Sequence, residues 1–277
     1  MNEMDHSKYS ITFACYNSVE YTKKCIESMI NCNTPLDRLV VVDNKSSDGT
    51  VDYLKTLSLG GLILNQENLG CGVAWNQGIL HLQSDWTIIM NNDVIVSKDW
   101  VNQLIHTAEK NSIKVICPAL IEGQLNYDFQ QFSNTASKKM KDVLRINTQH
   151  AVCLAVHRSV WMDIGYFQPV PKLLGFEDTL FFNELKKAKI KTAITGASWL
   201  HHFGSITQNA MKKERGIDPK KGLGNRKNYK LLQQNWLERK INKLNQKNLI
   251  TIQKSNELEL YEMTIHGIRD NAEFIWL

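Results

Sequence analysis

Short apolar runs alternate with helical stripes from Ile11 to Cys117. Ile11 to Cys15 reads as a strand, followed by a polar turn at Tyr16-Asn17-Ser18. Tyr21, Cys25 and Met29 then fall at i, i+4 and i+8, one face of a helix. Leu39 to Val42 is a β-branched strand closed by Asp43. Asn44 to Gly49 reads as a loop, in which Ser47 or Asp48 can cap a helix carrying Val51, Leu54 and Leu57. Leu62 to Leu64 is a short strand, and Asn68 to Gly72 a glycine-containing turn into a helix with Trp75, Ile79 and Leu82. Trp86 to Met90 is a strand ending in Asn91-Asn92-Asp93. Val101, Leu104, Ile105 and Ala108 share a helix face, and Val115 to Cys117 is a strand before Pro118.

Four β-α units and a further strand predict the α/β class, with a mainly parallel, Rossmann-like central sheet covered by helices on both faces. In such sheets ligands bind beyond the carboxyl ends of the strands. Asn17, Asp43 and Asn91 to Asp93 sit at those ends, which makes them site candidates on topology alone.

Farther along, 118–149 is polar and reads as an irregular connecting segment with a β-excursion. His150 to Val156 is a strand, Ser159 to Ile164 a short helix, and Gln168 to Pro171 a loop. Phe176-Glu177-Asp178 opens a helix on which Phe181, Leu185 and Ala188 share a face. Lys191 to Ile194 is a strand, with His201-His202 beyond it. An amphipathic helix through Tyr229, Leu232, Trp236, Ile241 and Leu244 then runs inside a strongly basic stretch.

Charge sharpens that division. The total is only +5, from 33 basic and 28 acidic side chains, too mild to mark a nucleic-acid binder. Residues 208–254, however, hold 13 basic and 3 acidic side chains, so an acidic body carries a basic appendage. Six cysteines without a C-x-x-C pair read as reduced thiols of a cytosolic protein. The polar N-terminus shows no secretory signal, and no apolar run approaches the roughly 18 residues of a membrane span.

The candidate chemistry is ambiguous one residue at a time. Asp93 suits a hard divalent cation that bridges phosphates, or simply a turn. Asp43 suits a ribose or base N–H, or again a turn. Glu177 and Asp178 serve either as helix-terminal acids or as a general base. His201 and His202 are metal ligands or structural histidines.

Taken in order, these segments resemble family 2 glycosyltransferases with the GT-A fold, from about Tyr9 to Thr207. Ser10 to Asn17 is similar to the family's opening strand with its Tyr-Asn end. Val41 to Thr50 is similar to the nucleotide-binding segment, and Glu67 to Gly70 with Asn76 to Gly78 to the next signature. Asn91-Asn92-Asp93 stands where the family has its D-x-D motif, Phe176-Glu177-Asp178 at its E-D motif, and His201 to Ser205 at the histidine segment that closes the site.

The resemblance implies a GT-A catalytic domain over 1–207. Residues 1–117 would bind the nucleotide sugar and 118–207 the acceptor, with 208–277 a basic helical extension. It implies an inverting, metal-dependent transfer of a single sugar from a nucleotide diphosphate sugar to a hydroxyl of a glycan or lipid-linked acceptor, as in bacterial surface-glycan synthesis. Asp43 would bind the base or ribose, beside Ala14, Tyr16 and Asn17, with Asn68, Gly70, Asn76, Asn91 and Asn92 near the donor. Asp93 with His201 or His202, His201 being favoured, would hold Mn²⁺ or Mg²⁺. Asp178 would be the base, supported by Glu177. The enzyme would be cytoplasmic, with peripheral contact to an anionic membrane through 208–254 and no nucleic-acid partner. Two departures stand out: Asn91 replaces the first acid of D-x-D, and Trp75 replaces a basic residue, which would alter the donor contact. A nucleotidyltransferase or a non-catalytic module binding an anionic surface are the competing classes. The former lacks its basic glycine-rich loop here, and the latter leaves the acidic residues unexplained.

Overall fold

The computed structural model describes residues 8–169, 177–204, 206–214, 216, 218 and 235–277. Strands β1 (Tyr9–Cys15), β2 (Leu39–Asp43), β3 (Gly61–Leu64) and β4 (Trp86–Asn91) lie parallel in the order β3-β2-β1-β4. Helices α1 (Val19–Asn31), α2 (Thr50–Leu54) and α3 (Cys71–His81) connect them. β1, β2 and β4 are buried along nearly their whole length, which is why they read as continuous apolar runs.

The period-two alternation of each strand feeds two separate cores. Phe13, Val41, Ile88 and Met90 face a core shared with α1, α2 and α4 (Trp100–Lys110). Ile89 faces the other, with Trp75 and Ile79 of α3. On the helix predicted from Tyr21, Cys25 and Met29, the last two are fully buried. Tyr21 is only half-buried and meets Phe203 edge-on at 5.1 Å. α3 lies so close to β1 that a Cβ on Gly78 would overlap the Thr12 side chain.

The second half departs from the parallel plan. β8 (Cys153–His157) is inserted antiparallel between β4 and β6 (Val115–Gly123). β6 does not stop at Pro118 as expected. It passes through the proline because β9 (Thr192–His202), its parallel neighbour, bulges there, with Pro118 opposite Thr195 and Ala119 opposite Trp199. β9 continues from the predicted strand at 191–194 through His202 without a break, and β5 (Val94–Val96) and β7 (Leu144–Ile146) flank it antiparallel.

The segment expected to be irregular contains helix α5 (Phe129–Met140). Asp128 caps it by accepting from the Gln131 N–H at 2.9 Å. Its buried face is Phe129, Ser133, Ala136 and Met140, where a serine interrupts the apolar stripe and hides the period. Helices α6 (Arg158–Ile164) and α7 (Glu177–Lys187) complete the second core with Val160, Trp161, Phe181 and Leu185.

α8 (Ile206–Glu214) and α9 (Trp236–Tyr261) follow. Asn235 and Glu238 open α9 with a reciprocal capping box. Of its expected stripe, Tyr229 and Leu232 lie outside the described residues, while Trp236, Ile241 and Leu244 are on α9 and exposed. The extension is not helical to its end, in contrast to the expectation. β10 (His266–Asp270) and β11 (Glu273–Trp276) form a hairpin, and β10 joins the sheet parallel to the second half of β6. Asn271 and Ala272 at its turn take positive φ (45° and 63°), as a two-residue hairpin requires. Phe274 stacks on Phe132 of α5 at 4.9 Å, which gives this short hairpin an apolar anchor. No helix among the described residues is long and apolar enough to cross a membrane.

Candidate active site

β1 lies where the winding reverses, with β2 and β3 on one side and β4 on the other. That crossover leaves a crevice at the carboxyl ends of β1, β2 and β4. Ala14 is there, opposite Val42 on one side and Asn91 on the other. Asp43 ends β2 almost fully buried, 1% exposed. Its carboxylate accepts from the Ser46 N–H at 2.9 Å and from the Cys15 thiol at 3.4 Å. Burial first, then the Asp43 charge, pushes that thiol far above its ordinary range, so Cys15 is a neutral donor.

Asn17 has left-handed φ (54°) and staples two loops together. Its N–H donates to Ser46 Oγ at 2.8 Å, and its Oδ1 accepts from the Ser47 N–H at 2.8 Å. Its amide nitrogen and the Tyr16 hydroxyl both donate to Glu214 of α8, at 2.7 and 2.9 Å. Nothing in the local pattern around Glu214 marks it as a partner of β1. Asn68 Oδ1 accepts from the Gly70 N–H at 3.0 Å, and the Gly70 carbonyl accepts from Asn44 at 3.3 Å. These bonds fix the entry to α3 beside Asp43.

The Asn91-Asn92-Asp93 run separates by side. Asn92 is buried and donates to Thr22 of α1 at 2.9 Å, so it braces the sheet. Asp93 Oδ1 lies 3.3 Å from His202 Nε2, and Asn91 Nδ2 is 3.3 Å from the same nitrogen. The pairing of β5 with β9 sets Val94 opposite His202 and so brings the histidine to Asp93. On its other edge, His202 Nδ1 is 3.5 Å from Glu122 Oε1, an ion-pair distance without hydrogen-bond alignment. Burial opposes the imidazolium, but Asp93 and then Glu122 outweigh it and push the pKa up to about 9. His202 in turn holds Glu122 below the usual carboxylate range. Glu122 escaped the motif reading because it lies in 118–149, far from any signature.

His201 does not join them, contrary to the expectation that favoured it over His202. Adjacent strand residues point to opposite faces. His201 is fully buried, with Nδ1 3.0 Å from the Tyr127 hydroxyl and its ring edge-on to Phe203 at 5.1 Å. Burial lowers its pKa to about 4 and keeps it neutral.

Glu177 and Asp178 begin α7. Glu177 is buried against α3, where a Cβ on Gly72 would come within 3.1 Å of the Glu177 Cβ. Asp178 is half-buried, and its Oδ1 accepts from the Thr179 N–H at 2.7 Å. Gly175 and Phe176 before them lie outside the described residues. Burial, then the charges of Glu177, Asp178 and Asp93, pushes the Cys71 thiol up to about 12. Asn76 supports this side of the crevice from behind. Its amide donates to the Phe167 carbonyl at 2.7 Å and accepts from the Phe167 N–H at 3.0 Å. Trp75 is 5% exposed and packs on Phe167 at 5.0 Å, so it belongs to the core rather than to a donor contact.

Once His202 gives up its proton, Asp93 and His202 present one carboxylate oxygen and one imidazole nitrogen side by side, a donor pair that suits Mn²⁺ or Mg²⁺. Among the described residues, no group of three or more His, Cys, Asp or Glu side chains is arranged around one ion position. A cation here would therefore take its remaining ligands from phosphate oxygens and water.

The family model of glycosyl transferase family 2 matches residues 10–164. EpsH of Bacillus subtilis, named as a glycosyltransferase, is 26% identical over 117 residues, which cover 41% of this chain and 34% of EpsH. The curated relatives it matches are covered over only 14% to 34% of their own length. Among solved structures, S. aureus TarS in complex with UDP-GlcNAc aligns with a TM-score of 0.54 at 17% identity, covering 70% of this chain and 58% of TarS. Mannosyltransferase PcManGT from Pyrobaculum calidifontis, in complex with GDP-Man and Mn²⁺, aligns with a TM-score of 0.55 at 18% identity, covering 75% of this chain and 60% of that one. At such identities the likeness is one of fold, and that fold is GT-A. The family match spans more than half of the sequence and includes both Asp43 and Asp93, and this chain belongs to glycosyl transferase family 2.

Proposed function

We propose that this chain transfers a single sugar from a nucleotide diphosphate sugar to a hydroxyl of a glycan or lipid-linked acceptor, with inversion at the anomeric carbon. The observation that carries the reading is the placement of Asp43, buried at the end of β2, and of Asp93 beside His202 just past β4, on either side of the crevice at Ala14. Asp43 receives the base or ribose, with the backbone of Ala14, Tyr16 and Asn17 along it and the Asn68–Gly70 turn nearby. Asp93 and a deprotonated His202 would hold the divalent cation, and Asn91 would hydrogen-bond the donor. Such a cation neutralises charge that develops on the leaving diphosphate. Asp178 takes the proton of the acceptor hydroxyl. The acceptor oxygen bonds to the anomeric carbon as the bond to the diphosphate breaks, and Glu177 supports the base. Bacterial cell-surface polysaccharide or lipopolysaccharide assembly in the cytoplasm is the setting that best fits a single-addition enzyme of this family.

A panel of nucleotide sugars, with and without Mn²⁺, tests the reading. The true donor raises the melting temperature by mass action and releases nucleoside diphosphate when acceptor is present. Release of pyrophosphate would point to nucleotidyl transfer instead. Absence of both stabilisation and release across the panel would overturn the proposal.

A further inference from the structure

α9 carries an apolar stripe on its outward side, besides the half-buried Leu249 and Ile250. Leu237, Ile241 and Leu244 follow one another at i, i+4 and i+7 and are 59%, 55% and 52% exposed. Ile252 widens the stripe farther along. The ties to the body lie on the other side of the helix. Asn242 accepts from Lys186 of α7 at 2.6 Å, and buried Glu257 pairs with Arg145 at 2.6 Å. A helix packed on a domain ordinarily turns its apolar stripe inward. Lys240, Lys243 and Lys247 run along one edge of the stripe, all exposed. Trp236 closes its N-terminal end, 63% exposed, with the Lys240 ammonium 5.1 Å from its ring centre.

We infer that this face of α9 docks on an anionic lipid surface, lying in the plane of the interface. The chemistry is that of an interfacial helix: a bulky apolar stripe, an aromatic at its end and a lysine border. Neither part suffices alone, since stable peripheral binding takes an apolar and an electrostatic contribution together. A second copy of the chain fits less well. Continuing the seam in heptads gives Asn248, Thr251 and Ser255, so the apolar run ends after about two turns, short of a coiled coil. A parallel pairing would also set the lysine borders close together.

Co-sedimentation of the full chain with phosphatidylcholine vesicles, with and without phosphatidylglycerol, tests the inference. No donor is added, so the outcome is separate from that of the transfer assay. Binding is expected only to the anionic vesicles, weakening as salt rises. The triple variants L237S/I241S/L244S and K240E/K243E/K247E should each lower the partition coefficient by about tenfold or more. All six side chains are exposed, and unchanged melting temperatures would confirm folding. Equal recovery with neutral vesicles, no recovery with either, or full recovery of both variants would overturn it. So would a concentration-dependent dimer that the serine variant abolishes.

Discussion

Tyr16 and Glu214 stand 198 positions apart in the chain and meet in a 2.9 Å hydrogen bond, the tyrosine donating. At the other end of α8, the Ile206 N–H donates to Asp93 Oδ2 at 3.4 Å. The helix therefore runs from the end of β4 to the end of β1, across the crevice assigned to the donor. Replacing Glu214 with Ala removes the acceptor shared by Tyr16 and Asn17. A net loss of about 1 kcal/mol corresponds to roughly fivefold faster opening. Hydrogen exchange should show that acceleration in the amides of α8 and leave those of β1 unchanged.

The two acidic sites should separate kinetically. Asp178→Asn is expected to lower the transfer rate by about 10²–10⁴-fold, the usual worth of a general base, with donor affinity intact. Asp93→Asn should instead weaken donor binding in Mn²⁺ and change it little without the metal. Isothermal titration alongside single-turnover rates distinguishes the two. Full activity of the Asp178 variant would remove the base assignment.

His202 gives the fold a pH dependence of known sign. Its pKa rises from 6.5 to about 9 between two carboxylates. The stabilisation is therefore complete below the unfolded value near 6.5 and fades as pH climbs through about 9. Melting temperatures in EDTA should show wild type above His202→Asn at about pH 6, with the gap closing toward about pH 10. A gap that widens with pH would contradict the ion-pair arrangement.

Arg145 and Glu257 form a buried two-point pair, at 2.6 and 2.9 Å, and Glu257 also accepts from the Ile265 N–H at 2.9 Å. Glu257→Ala leaves the guanidinium buried without its partner, at a cost of about 3–5 kcal/mol. Urea unfolding should find most of that loss recovered in the double variant Arg145→Met with Glu257→Leu. If the double variant is no better than the single, the pair is not the source of the cost.

The β3-β2-β1-β4 half was legible because each element there has an unbroken period. Strands buried on both sides read as solid apolar runs, α4 carries a full stripe, and α1 keeps Cys25, Ile26 and Met29 on its buried face. α5 was missed because polar residues such as Ser133 stand on its buried face. The β10–β11 hairpin was missed for a different cause: its support is Phe132 and β6, both distant in sequence. At the site, the order of motifs located Asp43, Asp93 and the α7 acids, but it could not assign side-chain direction. His201 and His202 are neighbours of one type, and only the register of β5 on β9 separates the buried one from the one beside Asp93. Asn76 and Asn92 carry the motif's identity yet spend their amides on Phe167 and Thr22. Glu122 and Glu214 have no local signature because tertiary pairing alone brings them in.

The pairing of β10 with β6 has a consequence for biosynthesis. Leu120 leaves the ribosome about 145 residues before its partner His266. At ordinary elongation speeds that interval is roughly 7–30 s. Throughout it, the backbone groups of β6 that β10 will cover remain open on the nascent chain. β10 and β11 are thus a molecular clasp, and until they arrive the ribosome-bound polypeptide presents a β-edge for chaperones to shield.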